Sequence, residues 1–249
     1  MRRWITAVIT LLLAAGCAGD PVAWKETSYG APPMPAELEP GTIPPAAGGC
    51  PEAVRAARAG SAIFASWWAV RPDSSAQLVV ARSHDGGASW ESPVVADSTD
   101  HSVRGCARPA PAIAVDSTTS YVSVAYFMEP QSGSGIFFSH SMDGGRTFHP
   151  SVPIVFGSNP SSVGIATSTE RVAVAYEDPN SAEPSVGIAL SRTMGHIFQQ
   201  GEQVSSASEL AKQPTVALRG DTIRVWWSDY SADPQISATR TAYREGIWR

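Results

Sequence analysis

Eight residues, Ser83-His84-Asp85-Gly86-Gly87-Ala88-Ser89-Trp90, return 58 positions later as Ser141-Met142-Asp143-Gly144-Gly145-Arg146-Thr147-Phe148. The shared form is S-x-D-x-G-x-[ST]-aromatic. A short Ser and a carboxylate can accept hydrogen bonds from backbone N–H groups inside a tight turn, and Gly supplies φ > 0. The terminal aromatic then drops back into an apolar layer. One such segment closes one turn. Its recurrence sets a period, and a period points to a fold assembled from repeated units.

The flanking residues carry the same period. Alternating strands end on an aromatic at Phe64–Trp68, Val122–Tyr126, Val172–Tyr176 and Ile223–Trp227. Alternation at period two places one set of side chains on each face of a strand. A second apolar strand leads toward the turn each time, at Leu78–Arg82, Ile136–His140, Val186–Leu190 and Ile236–Arg240. Trp68 to Asp85 and Tyr126 to Asp143 are both 17 residues. Counting 17 from Tyr176 reaches Thr193, in an eroded copy that keeps Ser191, Gly195 and Phe198. A fourth copy, Thr241 to Trp248, keeps little beyond its ends. Pro-led segments at Pro111–Val115 and Pro214–Leu218 suit innermost strands, with Pro at the first residue where no ladder donor is needed; Val163–Ala166 and Val54–Arg58 are their counterparts. Each unit therefore reads as four short antiparallel strands, with outer strands such as 92–96 and 152–156.

The motif resembles the Asp-box (BNR) repeat of sialidase-like β-propellers, through Ser83, Asp85, Gly87 and Trp90 and again through Ser141, Asp143, Gly145 and Phe148. The resemblance implies an all-β propeller of four-stranded antiparallel blades, with about four Asp-box-type repeats over residues 50–249. It also implies that the Asp-box carboxylates close turns and stand away from the catalytic face. Propellers of that family carry six blades, whereas the register here counts four units. The last unit lacks an outer strand. Either the segment around Trp24 completes it, or the propeller is incomplete and pairs with another chain, giving an oligomer; exposed edges favour some form of closure.

Bulk properties narrow the remaining choices. The 249 residues carry a formal charge of −5 and no Lys/Arg block after the first three positions, which argues against nucleic acid as a partner. Arg2 and Arg3 precede an apolar run from Ile5 to Ala15, too short to span a bilayer comfortably. It ends Leu13-Ala14-Ala15-Gly16-Cys17, which resembles a bacterial lipobox. Residues 1–17 thus read as a lipoprotein-type signal peptide, with Cys17 as the lipid attachment site and a membrane anchor in the cell envelope; the alternative is an ordinary signal peptide with an incidental Cys. Residues 18–49 hold seven Pro and five Gly, a linker composition. Export favours oxidised cysteines. Cys50 and Cys106 each stand shortly before an innermost strand of neighbouring blades, so they either pair or remain buried thiols. No Cys-x-x-Cys occurs and the five His show no metal-ligand spacing, so neither a metal nor another cofactor is expected.

Candidate chemistry lies in the loops that follow the aromatic-ending strands. They carry Arg71 and place Glu129, Glu177, Asp178 and Asp229 at corresponding points, beside Tyr126, Tyr176 and Trp227. Carboxylates with aromatic platforms suit sugar hydroxyls and sugar faces; the bland alternative is hydrophilic turns over blade core. In the resembled family, three Arg clamp a substrate carboxylate, a Tyr paired with a Glu is the nucleophile, and an Asp is the acid–base. Arginine's planar fork explains the clamp. Here the family's Arg-Ile-Pro motif has only a loose echo at Arg108-Pro109-Ala110-Pro111, and Tyr230-Ser231 resembles the Tyr-Ser around the nucleophile. Tyr230, Glu177 and Asp229 are the catalytic candidates, and Arg71, Arg108, Tyr126, Glu129, Tyr176, Asp178 and Trp227 the ligand-binding ones. Three functions fit: a carbohydrate- or protein-binding propeller without catalysis, an exo-sialidase or related glycoside hydrolase, and an envelope scaffold.

Overall fold

The computed structural model describes residues 24, 25, 27–29, 43–47, 49–231 and 236–243. The segment read as a signal peptide, Cys17 and the end of the fourth motif copy lie outside the described residues. Among the described residues, apart from two short 3-10 turns at Pro45–Ala47 and Pro51–Ala53, every element is a strand. They are β1 (Ser28–Tyr29), β2 (Arg55–Ala59), β3 (Ala62–Val70), β4 (Ala76–Ser83), β5 (Val94–Asp97), β6 (Ala112–Val115), β7 (Val122–Met128) and β8 (Gly135–Ser141), followed by β9 (Val152–Phe156), β10 (Val163–Ser168), β11 (Arg171–Glu177), β12 (Val186–Ser191), β13 (Glu202–Gln203), β14 (Ala211–Arg219), β15 (Thr222–Asp229) and β16 (Ile236–Tyr243).

These strands form four antiparallel sheets of four: β2-β3-β4-β5, β6-β7-β8-β9, β10-β11-β12-β13 and β14-β15-β16-β1. Each is one blade, read from its innermost strand outward, as the period of the sequence predicts. The fourth is finished by the N-terminal segment: Ser28 pairs with Thr239, Tyr29 with Ala238, and Lys25 N donates to Thr241 O at 3.0 Å. Trp24 joins it, its Nε1 donating to Glu202 of the third blade. Trp24, Lys25, Ser28 and Tyr29, inside the stretch read as linker, therefore stand at the outer edge of blade four. Ala47, also inside that stretch, is fully buried against Ala65, Trp67, Val79 and Ala81 of blade one.

Three apolar layers join successive blades. Blades one and two share Trp68, Leu78, Val124 and Tyr126, whose Trp68 and Tyr126 rings meet edge-on at 6.0 Å. Blades two and three share Phe127, Phe138, Val174 and Tyr176, and blades three and four share Ile188, Val216, Val225 and Trp227. Full burial of each such aromatic contributes about 1.5–3 kcal/mol, so the alternation seen in sequence is also the main source of stability. One detail differs from the reading above. Pro214 lies within β14, where the ladder to β15 shifts register between Lys212 and Thr215. An innermost strand has one side unpaired, and a bulge there needs no proline donor.

The turns at 83–90 and 141–148 connect third and fourth strands, at the end of the blade opposite the loops that carry Glu129, Glu177 and Asp229. Ser83 Oγ accepts from Gly87 N at 2.8 Å and donates to Asp85 Oδ1 at 2.8 Å; Asp85 accepts from Ser89 N at 2.9 Å and Ser89 Oγ at 2.6 Å. Asp143 repeats this with Ser141 and Thr147. In the eroded third copy, Gly195 N still donates to Ser191 Oγ at 3.0 Å, and the Thr193 hydroxyl accepts from Ile197 N at 3.0 Å. The second and third turns also press on the preceding blade, Gly145 against Phe64 and Gly195 against Phe138. A Cβ on Gly195 would stand 2.0 Å from the Phe138 ring, so only glycine admits that approach.

Candidate ligand site at the central cavity

The four innermost strands converge on one cavity of about 400 Å³, lined by segments of β2, β6, β10 and β14. Strand alternation makes most of its wall small or apolar (Ala112, Ile113, Val163, Gly164, Pro214), with polar groups from Ser162 and Gln213. Arg55 supplies the cation. Its Nη1 donates to Val54 O at 2.8 Å and Glu52 O at 3.0 Å, which fixes the side chain at the mouth of the cavity. Arg55 is an exposed residue, and partial desolvation lowers its pKa from the ordinary arginine value without removing its charge. Arg55 was not among the sequence candidates. It precedes the motif-bearing strands and lies on a short Ala-rich strand without a distinctive pattern.

Of the predicted loop residues, Glu177 stands nearest this cavity. Its Oε1 accepts from Ser162 Oγ at 2.6 Å and from Gln213 N at 2.7 Å, so two cavity-lining residues hold it. Gln213 has φ +55, and the bulge that forces this conformation also carries Lys212, whose ammonium lies 5.6 Å from the Tyr230 ring. Tyr230 is exposed, and its N–H donates to Leu210 O at 3.0 Å. The Lys212–Gln213 bulge thus separates Glu177 from Tyr230.

The other candidates are committed to the scaffold. Asp229 is buried and accepts from Ser231 N at 2.9 Å and Ser231 Oγ at 2.6 Å; burial pushes its pKa up, but the bonds from Ser231 and Leu210 outweigh it and lower the pKa overall. Asp178 closes its own turn through Asn180 N at 2.9 Å. Glu129 accepts from Arg104 Nη2 at 3.0 Å, and that bond holds its carboxyl below the usual range. Arg71 donates to Ser75 Oγ at 3.1 Å. Arg108 is enclosed, paired with Asp100 at 2.6 Å and donating to Ser102 O at 2.7 Å. Tyr126 is fully buried between blades one and two with its hydroxyl donating to Asp97 Oδ2 at 2.7 Å; burial, then the Asp97 charge, keeps its phenol well above the ordinary pKa. Trp227 is core. Tyr176 is mostly buried, its pKa pushed up to about 12 by burial and then by Asp178, beside a crevice of about 100 Å³. The aromatic-ending strands point these rings between blades because the same alternation that made them conspicuous makes them core.

Cys50 and Cys106 form a disulfide with Cα atoms 5.5 Å apart, tying the entry of blade one to the entry of blade two. No cofactor cradle was expected from the histidine spacing. The fold nevertheless brings His140, His149 and His196 together, with ligand atoms within 4.8 Å of one another. Burial, with smaller contributions from His149 and His196, lowers the His140 pKa to about 4, which keeps it neutral at physiological pH.

Four four-stranded antiparallel sheets whose innermost strands line one cavity, with the repeated Ser/Asp/Gly turns at one end, make a β-propeller architecture. No protein-family model and no curated protein matches the sequence. Among solved structures, the chain is similar to the Hadza microbial sialidase Hz136, at 16% identity and a TM-score of 0.55, covering 75% of this chain and 43% of that one. It is also similar to the Trypanosoma rangeli sialidase in complex with 2,3-difluorosialic acid, at 13% identity and a TM-score of 0.50, covering 89% of this chain and 32% of that one. The chain spans less than half the length of either structure. At these identities the likeness is one of fold.

Proposed function

We propose that this chain is an exported glycan-binding propeller that holds an anionic sugar in its central cavity. The observation that carries the reading is the cavity itself: about 400 Å³, with the Arg55 cation and the polar groups of Ser162 and Gln213 facing small, apolar walls. A guanidinium fixed by two backbone carbonyls suits a sugar carboxylate, because its free N–H groups match the two oxygens. The sialidases of like fold act on sugars, which agrees with this ligand class. Binding without turnover is favoured because Asp229, Asp178 and Glu129 are engaged in turn closure and ion pairing. Cys17 anchors the protein in the cell envelope through a lipid, and Cys17→Ser abolishes lipid labelling and membrane retention on this reading. The probes are sialyllactose and lactose, titrated calorimetrically into the full chain. Sialyllactose should bind and lactose should not, and Arg55→Ala should weaken binding by at least about tenfold. Equal affinity for both sugars, or full affinity in the variant, would overturn the proposal.

A glycoside hydrolase is the second reading, favoured by the exposure of Tyr230 and by Glu177, a carboxylate held at the cavity by Ser162 and Gln213. Release of fluorophore from a sialoside, abolished by Tyr230→Phe, would establish it.

A further inference from the structure

The inter-blade seams repeat one arrangement at the residue before the motif Ser and the residue after the motif aromatic. Glu91 N donates to Arg82 O at 2.8 Å, His149 N to His140 O at 2.9 Å, and Gln199 N to Leu190 O at 2.8 Å. The same backbone bond therefore holds the pairs 82/91, 140/149 and 190/199 side by side. In blade one the pair is charged: Arg82 meets Glu91 at 2.8 Å and donates to Gly144 O in the turn of the next blade at 3.0 Å. In blade two both positions are histidine, and the turn of the next blade contributes a third, His196.

We propose that His140, His149 and His196 bind one zinc-class divalent cation that clips blade two to blade three, at the register position where the Arg82 side chain, paired with Glu91, donates across to Gly144 O and clips blade one to blade two. The rings of His140 and His149 lie parallel with centroids 4.5 Å apart, and His196 stands edge-on to His140 at 4.7 Å. His140 is 3% exposed, and its Nε2 is buried without a hydrogen-bond partner. Packing alone does not account for that atom, since Leu190 fills the corresponding place in blade three with no polar group to satisfy. His196 is already set for ligation. Its Nδ1 lies 2.8 Å from Thr193 O, and a carbonyl can only accept, so Nδ1 carries the proton and the neutral ring presents Nε2 as a lone pair. Ser139 Oγ donates to His149 O at 2.7 Å, which pins the backbone of the third ligand.

Three imidazoles select borderline metals such as Zn²⁺ over Ca²⁺ or Mg²⁺, which take oxygen ligands. Tetrahedral Zn–N bonds of about 2.0–2.1 Å space the nitrogens at about 3.3 Å. His149 is exposed and can rotate in from its present separation, while His140 is buried in place and His196 keeps its bond to Thr193 O. Solvent takes the fourth position.

The test uses the full chain without a histidine tag, near neutral pH, titrated with ZnCl₂ and separately with CoCl₂. One ion per chain is expected, with visible Co²⁺ bands of a tetrahedral site and a zinc-dependent rise in melting temperature. His149→Ala and His196→Ala, both at exposed positions, should each lower zinc affinity by at least about tenfold and remove the thermal rise, leaving the metal-free melting temperature unchanged. His101→Ala, outside the cluster, should bind as the parent does. Absence of stoichiometric uptake, or parental uptake by the His149 and His196 variants, would overturn the proposal. Sugar binding is read separately and does not bear on it.

Discussion

The Arg108 guanidinium and the Asp100 carboxylate meet at 2.6 Å, with side chains only 3% and 1% exposed. Around them Arg108 donates to the carbonyls of Ser74, Gly105 and Ser102, and Asp100 accepts from Glu129 N at 3.0 Å. The pair orders the long connection between β5 and β6, the same one stapled by the disulfide. Removing one partner leaves a buried charge uncompensated, so Arg108→Leu should destabilise the chain by about 3–5 kcal/mol. Urea unfolding measures it. A loss below about 1 kcal/mol combined with lost sugar binding would return Arg108 to the list of ligand residues.

The disulfide makes a second, independent prediction. Cys50 and Cys106 are 56 residues apart, and closing a loop of that size in the unfolded chain corresponds to about 4 kcal/mol in the chain-entropy model. Reduction, or the Cys50→Ala/Cys106→Ala pair, should lower the melting temperature markedly while circular dichroism keeps its β signature. An unchanged melting temperature under reductant would show that blades one and two are held by other contacts.

These two features mark the limits of what the chain declares in its sequence. The blades were legible because Trp68, Tyr126, Tyr176 and Trp227 recur at one register and their strands alternate. The polar sites were not, for physical reasons. Arg108, Tyr126 and Trp227 are conspicuous residue types whose exposure depends on how neighbouring blades pack, and a single strand's pattern does not encode that. Arg55 reaches the cavity from a strand with little pattern of its own. The three histidines have no regular spacing, because one belongs to the turn of the next blade. The signal that would have found them is the register itself: positions 82, 140 and 190 correspond, as do 91, 149 and 199.

The eroded motif in blade three predicts a gain. Gly86 and Gly144 sit at φ +74 and +71, and the corresponding residue of the third turn is Met194 at φ +57. A left-handed conformation costs a non-glycine residue about 1–2 kcal/mol, partly offset by the greater unfolded-state freedom of glycine. Met194→Gly should therefore stabilise the chain by about 0.5–1 kcal/mol. Thermal unfolding decides it, and a destabilised variant would show that the Met194 side chain contributes packing that outweighs its strain.

Acid should weaken the fold in two windows. The Ser89 and Ser83 bonds hold the Asp85 carboxyl down at about 2 against an ordinary 3.8, and Asp143 is lowered further by Thr147 and Ser141. A depressed carboxylate contributes stability that is present above the unfolded value and lost as pH falls through the folded one, here from about 4 downward. His140, lowered from 6.5 to about 4, acts with the same sign at higher pH: the unfolded chain takes up its proton first, so stability declines as pH drops across that interval. Urea midpoints measured from neutral pH downward should fall in both ranges. Asp143→Asn should flatten only the lower one, and an unaltered profile in that variant would contradict the turn-closing role.

β1 closes the outer edge of blade four by pairing with β16. Without β1, β16 becomes an edge strand with unpaired backbone donors and acceptors, a template for pairing with another chain. Trp24 also leaves its bond to Glu202 and its place beside the Arg240 guanidinium, 5.7 Å from the indole. Trp24→Ala alone should cost about 1–3 kcal/mol, less than for a fully enclosed Trp because the ring is only half-buried. A chain beginning at residue 44 should melt lower than one beginning at residue 20 and should associate or aggregate on size-exclusion chromatography. If the shorter chain is equally stable and monomeric, blade four closes without its N-terminal strand and the propeller begins where the motif register alone would place it, at Cys50.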